Sequence, residues 1–302
     1  LNKILKPFLY YSLFNHWLKE HEVKSFCFTE HADDFKIEFD KIKNQNILIS
    51  KDDYYTLNLE PIISNKRISI ENYANEIMPI ALKKITKIYK NFPFISGIGI
   101  SGSLSKGYFD QSSDLDFFII TNHKRLWLCR LILVLYKKIF LFDSKKYFCI
   151  NYFISEKHLT IEEQNIFTAT EIKTLIACEG EVMNDFFTAN NWIKKHYLNF
   201  TPSTIHLKKT KKTKLTKLIE TSFNNKIGDF IEKICFRFTF KIWKIKYKSK
   251  LSEADFELAF KSNEKVSKHH PQNFQKKVIS NYNKQVDRLN EKFQLQLTHE
   301  SD

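Results

Sequence analysis

The sequence predicts an α+β protein, a mixed sheet with helices packed on it and helical segments at both ends. Three apolar runs, at 94–100, 115–121 and 147–155, have the length of strands and are rich in Ile and Phe. Around them lie longer segments whose apolar residues recur every three or four positions, the period of an amphipathic helix. At 302 residues the chain is long enough to bury a sizeable core and to hold two or three small domains.

In chain order, Phe8, Leu9, Leu13, Phe14, Trp17 and Leu18 have helical spacing, and Phe35, Phe39, Ile42 and Ile47 mark a second apolar face. Ile47–Ser50, Lys51-Asp52-Asp53 and Tyr54–Leu57 read as strand, turn and strand. Helices closed by a hairpin make residues 1–66 a winged-helix-like module. Its first 60 residues hold eight lysines against ten acids. Phosphate contact needs cations, so a scaffold or docking role is expected ahead of DNA reading. Residues 67–92 form a linker helix with Ile77, Ile80, Ala81, Ile85 and Ile88 on one face, ending before Pro93.

The central segment, 93–203, alternates strands and helices. Phe94–Ile100 is a strand, a Gly-Ser turn and short helix follow, and Leu115–Thr121 is the second strand. A helix spans 124–141. Strand Tyr147–Ser155 then sets Phe148, Ile150, Tyr152 and Ile154 on one side, Cys149, Asn151 and Phe153 on the other. Residues 159–200 read as mostly helical, with Ser155 or Thr160 as N-cap. The remainder, 204–302, is a helical region: a basic helix at 218–248, then a pair at 252–262 and 271–293 divided by His269-His270-Pro271.

The five cysteines are far apart and form no Cys-x-x-Cys, which argues against a disulfide framework or a zinc site. Leu1–Leu18 is interrupted by Lys3, Lys6, Asn15 and His16 and does not read as a signal peptide. The longest apolar stretch, Leu126–Tyr136, is broken by Arg130 and too short to span a bilayer. A cytoplasmic protein, not an integral membrane protein, is expected. The formal net charge of +14 is concentrated in 208–250, with thirteen lysines and Arg237 against three acids. There the cations interleave with Phe236, Phe238, Phe240, Trp243 and Tyr247. That pattern fits either aromatics packed on the core with solvated lysines or contact with a polyanion, RNA or an anionic membrane.

The window 98–120 carries the chemistry. An apolar run ends in Gly102-Ser103, a spacer follows, and Asp114 and Asp116 open the next run. Carboxylates at i and i+2 of a strand share a face and can hold one hard cation. A glycine lets the backbone approach a phosphate, and a serine hydroxyl can donate to it. Lys106, in the turn that follows, adds charge beside a bound phosphate. A phosphate cradle next to paired carboxylates points to metal-assisted phosphoryl or nucleotidyl transfer.

Gly102-Ser103 followed by Asp114-Leu115-Asp116 in an apolar strand resembles the signature of the nucleotidyltransferase superfamily built on the polymerase-β-like palm. The Arg125-Leu126-Trp127 helix, the Cys149–Phe153 strand and Phe167-Thr168-Ala169-Thr170-Glu171 extend the likeness over most of residues 1–200. The resemblance implies Mg²⁺ (or Mn²⁺) held by Asp114 and Asp116, and ATP or another nucleoside triphosphate held at Gly102 and Ser103. It implies transfer to an acceptor hydroxyl on a small molecule, a protein or RNA. The superfamily uses a third carboxylate from a later strand, and the position aligned to it here is Asn151. Three alternatives follow: Glu156 or Glu171 substitutes, one metal suffices, or the palm is a non-catalytic platform that binds nucleotide or nucleic acid.

Overall fold

A computed structural model of the chain describes every residue except 1, 28–31, 60–66, 145, 147, 205, 248, 251, 254–255, 257–258, 261, 269–273 and 302. Of residues 2, 32, 33 and 151 it describes the backbone alone. The expectation for His269-His270-Pro271 falls outside the described residues, as does that for the side chain of Asn151. The architecture is α+β with a mixed central sheet.

The N-terminal unit runs α1 (Asn2–Ser12), β1 (Leu18–Lys19), α2 (Glu20–Phe26), α3 (Ala32–Asn44), β2 (Leu48–Lys51) and β3 (Tyr54–Leu57). The hairpin β2–β3 turns at Asp52 and Asp53, both with positive φ. The sequence did not announce β1, a two-residue strand that pairs with β3 and makes the sheet three-stranded. The linker helix α4 (Arg67–Asn91) begins at a buried arginine. Arg67 donates to Trp17 O and pairs with Glu22 and Glu71, which ties the linker to the unit before it. Its buried stripe is Ala74, Ile77, Ala81, Ile85 and Ile88. Ile80, expected on that face, is exposed.

The central sheet has the order β7-β4-β5-β6-β8. Its strands are β4 (Ile95–Ser101), β5 (Asp116–Thr121), β6 (Cys149–Ser155), β7 (Ile176–Glu179) and β8 (Val266–Lys268). β5 and β6 are parallel, joined by the crossover helix α5 (Leu126–Phe140), and the other pairs are antiparallel. Where residues 159–200 read as mostly helical, the chain forms α6 (Ile166–Thr174), edge strand β7 and α7 (Val182–Ala189). Asn165, not Ser155 or Thr160, caps α6 by accepting from the Thr168 amide.

β6 departs from simple alternation. Asp116 pairs with Cys149 but Phe118 pairs with Tyr152, so β6 spends three residues where β5 spends two. This bulge reverses the parity of the strand. Phe148, Ile150 and Phe153 therefore share one core, and Tyr152 and Ile154 face the other. Asn151 lies within the bulge.

Each face of the sheet is buried under a separate core. On one face α4, α5 and α9 (Lys226–Tyr247) pack on Ile98, Ile100, Phe117 and Ile119. On the other, α1, α3, α6, α7 and α10 (Phe274–Phe293) surround Phe118, Ile120 and Ile154. The N-terminal unit thus shares its core with the central sheet. Residues 204–302 are likewise built into both cores and contribute β8. The basic helix expected at 218–248 is two helices, α8 (Lys214–Phe223) and α9, and Glu220 of α8 accepts from the Phe94 amide at the start of β4.

Glu232 of α9 is buried and accepts from the amides of Trp127 and Leu128 at 2.8 Å, satisfying free donors in the first turn of α5. Replacing it with alanine leaves two buried amides without acceptors. Glu232→Ala should lower the unfolding free energy by about 2 kcal/mol, measured as a shift of the urea midpoint at unchanged slope. An unmoved midpoint would show that this junction does not hold α5 to α9.

Candidate functional site

The Gly102-Ser103 turn and the acidic strand meet at one end of the sheet. Ser101, the last residue of β4, pairs with Asp116, the first of β5. Gly102 has φ +69°, and a Cβ there would collide with Asp116 Oδ2. Only glycine lets the turn lie against that carboxylate. After Ser103 comes a single 3₁₀ turn, Leu104–Lys106, where a short helix was expected. It closes with Gly107 in the left-handed region.

Asp114 precedes β5. Between the two acids, Leu115 is buried in the α4/α5 core, and its backbone bonds to the Lys146 carbonyl and the Cys149 amide. With Leu115, Phe117 and Ile119 on that side, alternation sets Asp114 and Asp116 on the opposite face. The loop before them is fixed by Asp110, which accepts from the Ser112 amide and from the hydroxyls of Ser112, Ser113 and Tyr108. These bonds hold the Asp110 carboxyl below its usual range despite partial burial. Asp110 thus organises the turn that leads into the acid pair.

Lys106 is neither exposed nor free. Its Nζ donates to the Gly102 carbonyl at 2.9 Å and pairs with Glu171 at 2.9 Å. Glu171, on α6, also accepts from the hydroxyl of Tyr10 at 3.2 Å. The four residues form one chain of contacts, from the N-terminal unit through α6 to the Gly-Ser turn. Of the two acids considered for a third position, Glu171 is the one near the pair. Glu156 is at the opposite end of the sheet, where it accepts from the Ser96 hydroxyl and the His123 amide. The length of β5 separates it from Asp116, roughly 16 Å.

The residue that β6 places beside Asp116 is Cys149, two positions before Asn151. Its thiol bonds to the Asp116 carboxylate, and burial with the nearby acids pushes the thiol far above its ordinary value. Cys149 has the same sequence parity as Asn151, so alternation alone offered either, and the bulge decides between them. Among the described residues no three His, Cys, Asp or Glu side chains are grouped to hold a metal ion. The donors that fit a hard cation are the oxygens of Asp114 and Asp116.

A cavity of about 260 Å³ adjoins Asp116. Gly102, Asp116 and Glu171 line it with the apolar side chains of Phe118, Tyr152 and Phe167. Sequence reasoning missed Tyr10, Cys149 and these aromatic walls. Helical spacing on α6 held part of the signal, since Phe167, Thr168, Glu171 and Ile172 fall on one face and all line the cavity.

No family model matches the chain, and neither a curated protein nor a solved structure matches it. Among the described residues no helix is long and apolar enough to cross a membrane.

Burial raises the Asp116 carboxyl from 3.8 to about 6, with Glu171 and Asp114 adding to the rise and the Cys149 thiol and Lys106 opposing it. Well below pH 3.8 the carboxyl is protonated in folded and unfolded chains alike and carries no penalty. As pH rises from about 4 through 6 the fold must hold a charge that the unfolded chain ionises more readily, and stability falls. Two units correspond to about 3 kcal/mol at most. Asp116→Asn should therefore melt several degrees above the parent at pH 8, with the difference closing below pH 4. Parallel melting curves across that range would show that this carboxylate is not held at a cost.

Gly102→Ala forces the turn away from Asp116. It should weaken any ligand that needs both by at least about tenfold, read by titration calorimetry with Mg²⁺-nucleotide. Undiminished binding would separate the turn from the acid pair.

Proposed function

We propose that this chain is a palm-type nucleotidyltransferase with a winged-helix-like N-terminal unit, and that it moves a nucleoside monophosphate from a nucleoside triphosphate to an acceptor hydroxyl. The observation that carries the proposal is the contact between Gly102 and Asp116. A turn suited to phosphate and a strand suited to a divalent cation are packed so closely that no other residue fits between them. Burial raises the carboxyl of Asp116 and the nearby Glu171 and Asp114 add to the rise, so positive charge placed at the pair favours its ionised form. A divalent cation supplies that charge.

In this reading Asp114 and Asp116 hold Mg²⁺ or Mn²⁺. The ion, when bound, offsets phosphate charge and lowers the pKa of the attacking hydroxyl. Gly102 and Ser103 take the phosphates, with Ser103 donating its hydroxyl. Lys106 acts by holding the turn through its bond to Gly102 O, and Glu171 by holding Lys106. The cavity beside Asp116, walled in part by Phe118, Tyr152 and Phe167, accommodates an apolar or aromatic part of a substrate.

The second reading, a nucleotide-binding platform without turnover, is favoured by one observation. The neighbour of Asp116 on β6 is a thiol, and the nearby carboxylate of Glu171 is already engaged by Lys106 and Tyr10.

Purified protein incubated with each α-³²P-labelled nucleoside triphosphate, Mg²⁺ or Mn²⁺, and cell extract separates the two. Label passing to an extract component, and abolished by Asp114→Ala/Asp116→Ala, is the expected result and identifies the acceptor class. Saturable, metal-dependent binding without transfer would select the platform. Neither binding nor transfer would remove both.

A further inference from the structure

Helix α9 has two apolar faces, and the palm chemistry uses neither. One face packs inward: Cys235 and Trp243 are buried, and Ile231, Phe236, Phe240 and Tyr247 pack against the α4/α5 core. The other carries Ile227, Phe230, Ile234, Phe238, Ile242 and Ile245, which are 44–71% exposed. Their spacing of three or four residues draws one continuous stripe, about 27 Å long, down the helix. Scattered apolar residues at a surface are ordinary, but six large ones in register on a single helix are not.

The cations are arranged around the stripe. Lys226, Lys233, Arg237, Lys241 and Lys244 are exposed, and each immediately precedes a member of it, Ile227, Ile234, Phe238, Ile242 and Ile245 in turn. The two acids of α9 are turned to α5. Asp229 pairs with Arg125 at 2.7 Å, and Glu232 is buried against the Trp127 and Leu128 amides. The exposed face is therefore apolar along its crest, cationic beside it and without an unengaged carboxylate.

We propose that this face of α9 is a docking surface for an anionic lipid bilayer, on which the helix lies flat. Aliphatic and phenyl side chains enter the boundary between headgroups and acyl chains, and the adjacent lysines extend sideways to lipid phosphates. The charge pattern disfavours the other occupants. A second copy docking face to face would set two rows of cations against each other with no acid to pair them. Single-stranded nucleic acid stacks on rings, and four of the six stripe residues are isoleucine. Because the inward face stays packed on the protein, docking needs no unfolding. It places the whole chain at the membrane surface.

The test is sedimentation of the full chain with vesicles of phosphatidylcholine, with and without phosphatidylglycerol, at ~0.15 M salt. Binding to the anionic vesicles should exceed that to neutral ones by at least about tenfold. Two exposed-face variants, Ile234→Ser/Phe238→Ser/Ile242→Ser and Lys233→Glu/Lys241→Glu, should each lose it by a similar factor while melting at the parent temperature. If the serine variant melts lower, the charge-reversal variant alone decides. The proposal is overturned by no vesicle binding, by equal binding to both compositions, or by variants that bind like the parent. Light scattering that shows a dimer lost in the serine variant would overturn it in favour of a second copy. Retention of an RNA oligomer without vesicle binding would overturn it in favour of nucleic acid. Vesicle binding is read without nucleotide, so its failure leaves the transferase reading standing.

Discussion

The structure depends on one strand being buried on both faces. Phe117 and Ile119 of β5 face the α4/α5/α9 core, while Phe118 and Ile120 face the core shared by α1, α6, α7 and α10. A strand covered on both sides has to be apolar nearly throughout. Polar function is thereby confined to its ends. Asp116 is the first residue of β5 and Asp114 lies just before it, at the last positions where a carboxylate avoids being sealed between two cores. The same constraint gathers the rest of the chain, because α4, α5 and α9 must supply one layer and α1, α3, α6, α7 and α10 the other. The N-terminal unit and the C-terminal region are thus parts of the central sheet's cover.

Electrostatics at this end of the sheet is a balance of proximity and compensation. Asp114, Asp116 and Glu171 bring negative charge into a partly buried space, and Lys106 answers with one positive charge, held by the Gly102 carbonyl and Glu171. Burial of Asp116, with Glu171 and Asp114 adding to it, outweighs the Cys149 thiol and Lys106, so its carboxyl is raised to about 6. A protein that only needed the turn for packing would lose little by replacing this carboxylate with a neutral side chain. Tyr10 donates to Glu171 and thereby couples the N-terminal unit to the position of Lys106, so the unit shapes the site although it contributes no residue to the acid pair.

The basic segment shows how much a composition leaves open. Phe236, Phe240, Trp243 and Tyr247 do what packing demands and turn inward, with Trp127 tilted against Phe236 and edge-on to Trp243. Phe238 does not, nor do five further apolar residues of α9. Interleaved cations and aromatics are compatible with a packed helix, a polyanion surface or both. On α9 the two roles occupy opposite faces of one helix.

The sequence by itself determined the α+β class, the hairpin β2–β3, strands β4 and β5, and the adjacency of Gly102 to the acid pair. These follow from local periodicity and from turn residues a few positions apart, which a chain displays without its distant contacts. It did not determine β1 or β8, which are two and three residues long and are strands only because β3 and β6 offer them partners. Nor did it determine β7, whose period was masked by helices on either side. The tertiary structure alone decided which residue stands beside Asp116. Three residues of β6 oppose two of β5, and that one-residue difference puts Cys149 where simple alternation allowed Asn151. It also decided between Glu156 and Glu171, because separation along a strand and proximity across a helix–sheet interface look alike in sequence. Local pattern fixes which faces exist, and only long-range pairing fixes what each face meets.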